Sequence, residues 1–123
     1  MRYPIKNGNG KVKEYNKYNE LIFDGEYING EKKGKEYDID YNELIFEGEY
    51  LNGKRWNGKG KEYDYDGNLI FEGEYLMGKK NGKCKEYNYD GKLIFEGEYL
   101  NGNKHGKGKE YNKNGDLIFE GEY

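Results

Sequence analysis

Glu72 and Glu74 are the residues best equipped by type and spacing to do chemistry. Paired carboxylates serve glycosidic acid–base catalysis when their environments differ. Here an equivalent pair recurs five times in one setting, so its members have like environments. A solvated charged face, bridged to Lys61 or Lys85, is the expected use. Serine- and threonine-type nucleophiles are excluded outright, because the chain contains neither residue. Cys84 stands where other repeats carry Gly60 and Gly108, which predicts a small filler and not a nucleophile. His105 replaces Asn57 or Asn81 before a glycine and is expected to serve a turn. The runs Asp38–Glu43 and Asp64–Gly67 echo calcium loops, but the required glycine and bidentate glutamate are misplaced. Asn7-Gly8-Asn9-Gly10-Lys11 lacks the spacing and hydroxyl residue of a phosphate loop. No constellation converges, so no catalytic residue, metal site or cofactor is expected, and the chain is predicted not to be an enzyme.

Composition narrows the class further. The 123 residues fit one domain, with 37% charged, 17% aromatic and 20 glycines. A net charge of −3 lacks the basic excess a nucleic-acid partner would require. One cysteine permits no internal disulfide, no apolar run reaches the ~18 residues of a membrane span, and the first residues lack a signal peptide's apolar core. A cytoplasmic location is the default expectation.

The elements behind these residues are repeats. Leu-Ile-Phe-Glu/Asp-Gly-Glu-Tyr begins at 21, 44, 69, 93 and 117, at intervals of 23, 25, 24 and 24 residues. A second segment ends in Lys-Glu-Tyr at Tyr15, Tyr37, Tyr63, Tyr87 and Tyr111. Alternation places Leu69, Phe71, Gly73 and Tyr75 on one face of a strand and Ile70, Glu72 and Glu74 on the other. Asn-Gly and Asp-Gly pairs, including Asn57-Gly58, mark turns. In-strand glycines such as Gly60 and Gly73 predict a neighbouring repeat's aromatic ring lying over each. The expected fold is all-β: an elongated single-layer antiparallel meander of stacked β-hairpins with about ten strands, at 10–15, 21–27, 34–37, 44–50, 58–63, 69–75, 82–87, 93–99, 106–111 and 117–123. Residues 1–9 form a lead-in and 10–123 a single tandem-repeat domain.

Phe71-Glu72-Gly73-Glu74-Tyr75, then Gly78-Lys79, Gly82-Lys83 and Lys85-Glu86-Tyr87, resembles the MORN repeat: aromatic-x-Gly-x-aromatic, Asn-Gly-Lys, then Gly-x-Gly. The resemblance runs from about residue 8 to 123. Asn88–Leu93 with Glu96-Gly97 also resembles a bacterial antitoxin-like variant branch, although that branch carries Trp where Val12, Gly60, Cys84 and Gly108 stand. The resemblance implies a MORN-repeat solenoid with a groove along its sheet, serving as a scaffold for protein–protein interaction.

Three surfaces are candidates. An aromatic groove would use Phe23, Tyr27, Phe46, Tyr50, Tyr63 and Phe71, continuing through Tyr75, Tyr87, Phe95, Tyr99 and Tyr111. Complementary end strands would self-associate head to tail, as a homo-oligomer or filament, with Lys11, Lys13 and Tyr15 meeting Leu117, Phe119 and Tyr123. Trp56, in a lengthened repeat, is either an insertion folded back on the sheet or an exposed contact on a turn tip. An alternative partner is anionic membrane lipid, met by Lys32-Lys33, Lys54-Arg55, Lys79-Lys80 and Lys104, which are expected on turns. A third alternative, toxin neutralisation, follows from the branch resemblance alone.

Overall fold

The structure, a computed structural model, describes residues 8–40 and 42–123. Residues 1–7 of the lead-in, including Asn7 of the phosphate-loop-like run, lie outside the described residues, as does Tyr41 of the calcium-like run. The protein is all-β. Among the described residues there are ten strands: β1 (Gly10–Tyr15), β2 (Leu21–Ile28), β3 (Glu31–Tyr37), β4 (Leu44–Leu51), β5 (Lys54–Tyr63), β6 (Leu69–Leu76), β7 (Lys79–Tyr87), β8 (Leu93–Leu100), β9 (Asn103–Tyr111) and β10 (Leu117–Glu122). The strand order follows the chain order, β1 to β10, as the expected antiparallel meander. By compactness the chain divides within β5 into two units, Met1–Gly58 and Lys59–Tyr123.

The second strand of each hairpin starts earlier than the sequence led us to expect. The connections after β2, β4, β6 and β8 are two-residue turns: Asn29-Gly30, Asn52-Gly53, Met77-Gly78 and Asn101-Gly102. In each pair both φ angles are positive, between 51° and 85°. This is the turn whose twist matches that of paired strands, so pairing resumes at the next residue. The lysines expected on turns therefore stand inside strands. Asn57-Gly58, expected as a turn, and His105 are also strand residues. Differences in repeat length are absorbed as bulges. β2 and β3 pair residue for residue, whereas β6/β7 and β8/β9 shift register after Gly73 and Gly97.

The other connections are longer and alike. Asn16, Asp64, Asn88 and Asn112 each accept backbone N–H bonds from the residues two and four further on, at 2.9–3.0 Å. At Asp64 these bonds, led by the one from Asn68, hold the carboxyl below its ordinary range. The carboxylate that suggested a calcium ligand is committed to its own turn.

The core of each unit is a short line of rings. In the first unit Val12, Phe23 and Phe46 are buried; in the second, Phe71, Cys84 and Phe95. Phe71 meets Tyr75 and Tyr99 edge to face, with centroids 5.9 and 6.4 Å apart, and Phe95 meets Tyr99 and Tyr123 at 5.8 and 5.9 Å. In the first unit Tyr50 lies edge-on to both Phe23 and Phe46. Glycine permits this packing. A Cβ on Gly73 would lie 2.5 Å from Cys84 Cβ and 3.0 Å from Phe71 Cζ. The ring over Gly73 thus belongs to the glycine's own strand and not to a neighbouring repeat as expected, because the Phe two residues earlier folds back over it; Gly108 is covered by rings from outside its own strand, Phe95 and Tyr123.

Candidate functional site

A cation stands nine residues after each of four phenylalanines: Phe23/Lys32, Phe46/Arg55, Phe71/Lys80 and Phe95/Lys104. The tight turn between them is always two residues long, so that spacing carries the cation back across its own hairpin. Lys32, Lys80 and Lys104 place Nζ 4.8, 4.2 and 4.4 Å from the ring centroids, and the Arg55 guanidinium lies 4.9 Å from that of Phe46. Each cation also reaches a carboxylate: Lys32 to Glu14 at 2.5 Å, Arg55 to Glu36 at 3.7 Å, Lys80 to Glu62 at 3.9 Å and Lys104 to Glu110 at 3.7 Å. Three of these carboxylates, and Glu86 besides, accept a tyrosine hydroxyl. Tyr50 donates its hydroxyl to Glu36, Tyr75 to Glu62, Tyr99 to Glu86 and Tyr123 to Glu110. The repeating unit is thus a Phe ring capped by a cation, with a Glu that binds the cation, a Tyr hydroxyl or both. This set was missed from sequence, where the cations were read as turn charges. Their constant distance from Phe was the available signal.

These contacts perturb the phenols. Burial first, then the bond donated to a carboxylate, raises Tyr50 and Tyr99 far above the ordinary phenol range. The same causes push Tyr123 up to about 12. On the opposite face Tyr87 donates to Glu72 at 2.5 Å and is also pushed up to about 12. An unfolded phenol titrates near ~10. Since the folded values lie above it, this stability is complete below pH ~10 and is lost as pH rises through the folded values. The expected result is a melting temperature that is level from neutral pH to pH ~9 and collapses above pH ~11, with tyrosinate absorbance appearing together with unfolding. Full tyrosinate absorbance near pH ~10 in a chain that is still folded would refute the phenol–carboxylate bonds.

The residues named for the groove divide into three classes. Phe23, Phe46, Phe71 and Phe95 are buried and form the core. Tyr27, Tyr50, Tyr75 and Tyr99 are half-buried on the same face. Tyr63, Tyr87 and Tyr111 follow Glu62, Glu86 and Glu110 in their strands and point to the other face. The ring face is therefore packed in place of an open aromatic groove. Trp56 is half-buried within β5, not on a turn tip. Cys84 fills a glycine position, and burial pushes its thiol up to about 12, which suppresses the reactive thiolate.

The opposite face carries two rows of alternating charge. In the second unit Glu72, Lys85, Glu96, Lys109 and Glu120 oppose one another strand by strand; Lys83 opposes Glu98, and Lys107 opposes Glu122. Lys85–Glu96 and Lys109–Glu120 are ion pairs at 3.8 Å. In the first unit Lys13, Asp24, Lys35 and Glu47 form one row, and Lys11, Glu26, Lys33 and Glu49 the other. A groove of about 500 Å³ lies between the rows at β8–β10, floored by Gly108 and Gly121. Its carboxylates Glu96 and Glu120 each already face a lysine. Among the described residues no group of three or more His, Cys, Asp and Glu is placed to hold a metal ion.

Stacked hairpins of Phe-x-Gly-x-Tyr joined by tight Asn-Gly turns are what the MORN repeat describes, and that family's pattern matches residues 46–69, 71–92 and 95–117, more than half of the chain. The chain belongs to the MORN-repeat family. The MORN family is a repeat-scaffold family and not an enzyme family, and its repeats commonly mediate protein or membrane interactions. The match is to the MORN repeat and carries no support for the antitoxin-like branch. No curated protein sequence matches the chain. Among the described residues of this MORN protein no helix is long and apolar enough to cross a membrane.

Proposed function

We propose that this MORN protein is a non-enzymatic scaffold that binds protein by strand addition at β10, with other copies of itself among its partners. One observation carries the reading. The Phe-to-Tyr stack that buries Phe71 and Phe95 to 1% exposure leaves Phe119 at 39%, beside Leu117 at 49% and Ile118 at 63%. An edge strand with apolar side chains and unpaired backbone groups is a template for another strand. The packed ring face offers no comparable opening.

Membrane lipid is the weaker partner. Lys32, Arg55, Lys80 and Lys104 each face a ring and a carboxylate, which leaves Lys33, Lys54 and Lys79 as the exposed members of the doublets. Attraction of roughly 1 kcal/mol per cation near an anionic surface is small when the cations are spread one per repeat. Toxin neutralisation rests on the branch resemblance alone and is left to a partner screen. A cytoplasmic location belongs to the same reading, supported by a lone buried thiol.

Light scattering over a wide concentration range tests the proposal. Mass should rise above the 14.5 kDa of one chain as concentration increases, while anionic vesicles at low salt should not carry the protein upward on flotation. A mass fixed at one chain, with β10 amides protected from hydrogen exchange, would overturn it. So would flotation that high salt abolishes, which would point to lipid instead.

A further inference from the structure

The strand order puts β1 and β10 at its two ends, and the charges those strands present are opposite. β2 pairs with β3 without a shift of register, and β6/β7 and β8/β9 hold the same register as far as Gly73 and Gly97. Phe23 meets Glu36, Asp24 meets Lys35, Gly25 meets Gly34 and Glu26 meets Lys33. Phe95, Glu96 and Gly97 meet Glu110, Lys109 and Gly108 in the same way. Across these pairs Asp24, Glu26 and Glu96 each face a lysine. At the ends the alternation stops on Lys11 and Lys13 in β1 and on Glu120 and Glu122 in β10.

We infer that the joint between copies is β10 of one chain against β1 of the next, antiparallel, with Glu120 facing Lys13, Glu122 facing Lys11 and Gly121 facing Val12. This rests on the self-binding proposed above and adds its register, its polarity and its choice of partner. Applied to the two ends, the unshifted register of β2 and β3 gives both charge pairs at once. The glycine is also correctly placed. Val12 already faces Gly25 in its own chain, and Gly121 would give it the same kind of partner across the joint. The two symmetric joints are disfavoured by the same charges. Two β10 strands would set Glu120 and Glu122 against their own kind, and two β1 strands would do so with Lys11 and Lys13. Assembly is therefore head to tail, and it can continue from copy to copy.

The joint differs from an internal contact in one respect. Gly8 stands four residues before Val12, where Lys80 and Lys104 stand four before Cys84 and Gly108. That position supplies no cation to cap Phe119 as Lys80 caps Phe71. The joint is weaker than the internal stacking and dissociates on dilution.

Two charge-swapped chains test the register. E120K/E122K has two basic edges, and K11E/K13E has two acidic ones. Each alone should stay monomeric in sedimentation velocity at concentrations roughly tenfold above those at which the native chain assembles. Mixed in equal amounts they should assemble, because each supplies the edge the other lacks. High salt should weaken native assembly and mixed assembly alike. Circular dichroism confirms that each variant folds. Should the swaps fray the edges, E120Q/E122Q replaces them and should assemble less readily and with less dependence on salt. If the native chain never assembles, self-binding itself fails. If it assembles but either swapped chain does so equally well alone, or the mixture stays monomeric, self-binding stands and this register is wrong.

Discussion

Phe71→Ala should lower the stability of the second unit by about 3–5 kcal/mol, the range for emptying a large aromatic site in a packed core. Phe119→Ala should cost only about 1 kcal/mol, although both residues occupy the same place in the same seven-residue motif. Phe71 is 1% exposed and Phe119 39%. Around Phe71 lie the Tyr75 and Tyr99 rings, the Lys80 ammonium at 4.2 Å and the Cys84 side chain. Removing the ring leaves a void beneath Lys80 and takes from Tyr99 one of its two phenylalanine neighbours. Stabilities of roughly 0.05–0.15 kcal/mol per residue make such a loss comparable to the whole stability of a unit of this size. Urea unfolding of the two variants beside the native chain checks the contrast. Equal losses at the two positions would mean that sequence position in the motif, and not burial in the stack, sets the stability.

The next largest effect is expected at Gly48. A Cβ there would collide with the Asn57 carbonyl oxygen and approach Gly58 Cα to 2.8 Å. Both obstacles are backbone, which no rotamer change can clear. Gly48→Ala should therefore cost about 3 kcal/mol, the upper part of the overpacking range. Gly53→Ala is the control. It has φ +78° and no atom within 4 Å of the added Cβ. Its cost is that of a left-handed backbone alone, roughly 1–2 kcal/mol. Gly73→Ala provides a rescue. Its nearest obstacle is the Cys84 Cβ, so adding Cys84→Gly should recover part of the loss. Thermal melts of the three variants and the double variant decide the matter. A mild Gly48→Ala would show that the strands at this point separate at little cost.

The repeats were legible because they are local. Leu69–Tyr75 alternates on a period of two, and Asn52-Gly53 can take the two positive φ angles its turn needs, so strand type, order and antiparallel sense follow from neighbouring residues alone. The MORN resemblance added the repeat's identity, not the contacts. Strand beginnings were less legible. At Asn57-Gly58 the same dipeptide that makes a turn elsewhere sits inside β5, beside Gly48 of the preceding first strand. A bulge and a turn draw on the same residues, and only pairing across the sheet selects between them.

The candidate site divides along the same line. By itself the sequence determined that this protein is a meander of alternating strands, that it lacks the residues of serine- and threonine-type catalysis, and that each repeat carries one Phe, paired acids and clustered cations. Tertiary structure decided where those groups went. It drew Lys80 off the surface and onto Phe71, turned Tyr87 to the face opposite Tyr99, and closed the aromatic face that had been expected to stay open. The physical reason is distance. A strand fixes which way a side chain points, but whether a ring or an ammonium finds a partner depends on residues brought beside it by the next hairpin, and the register that brings them is a property of the paired strands together.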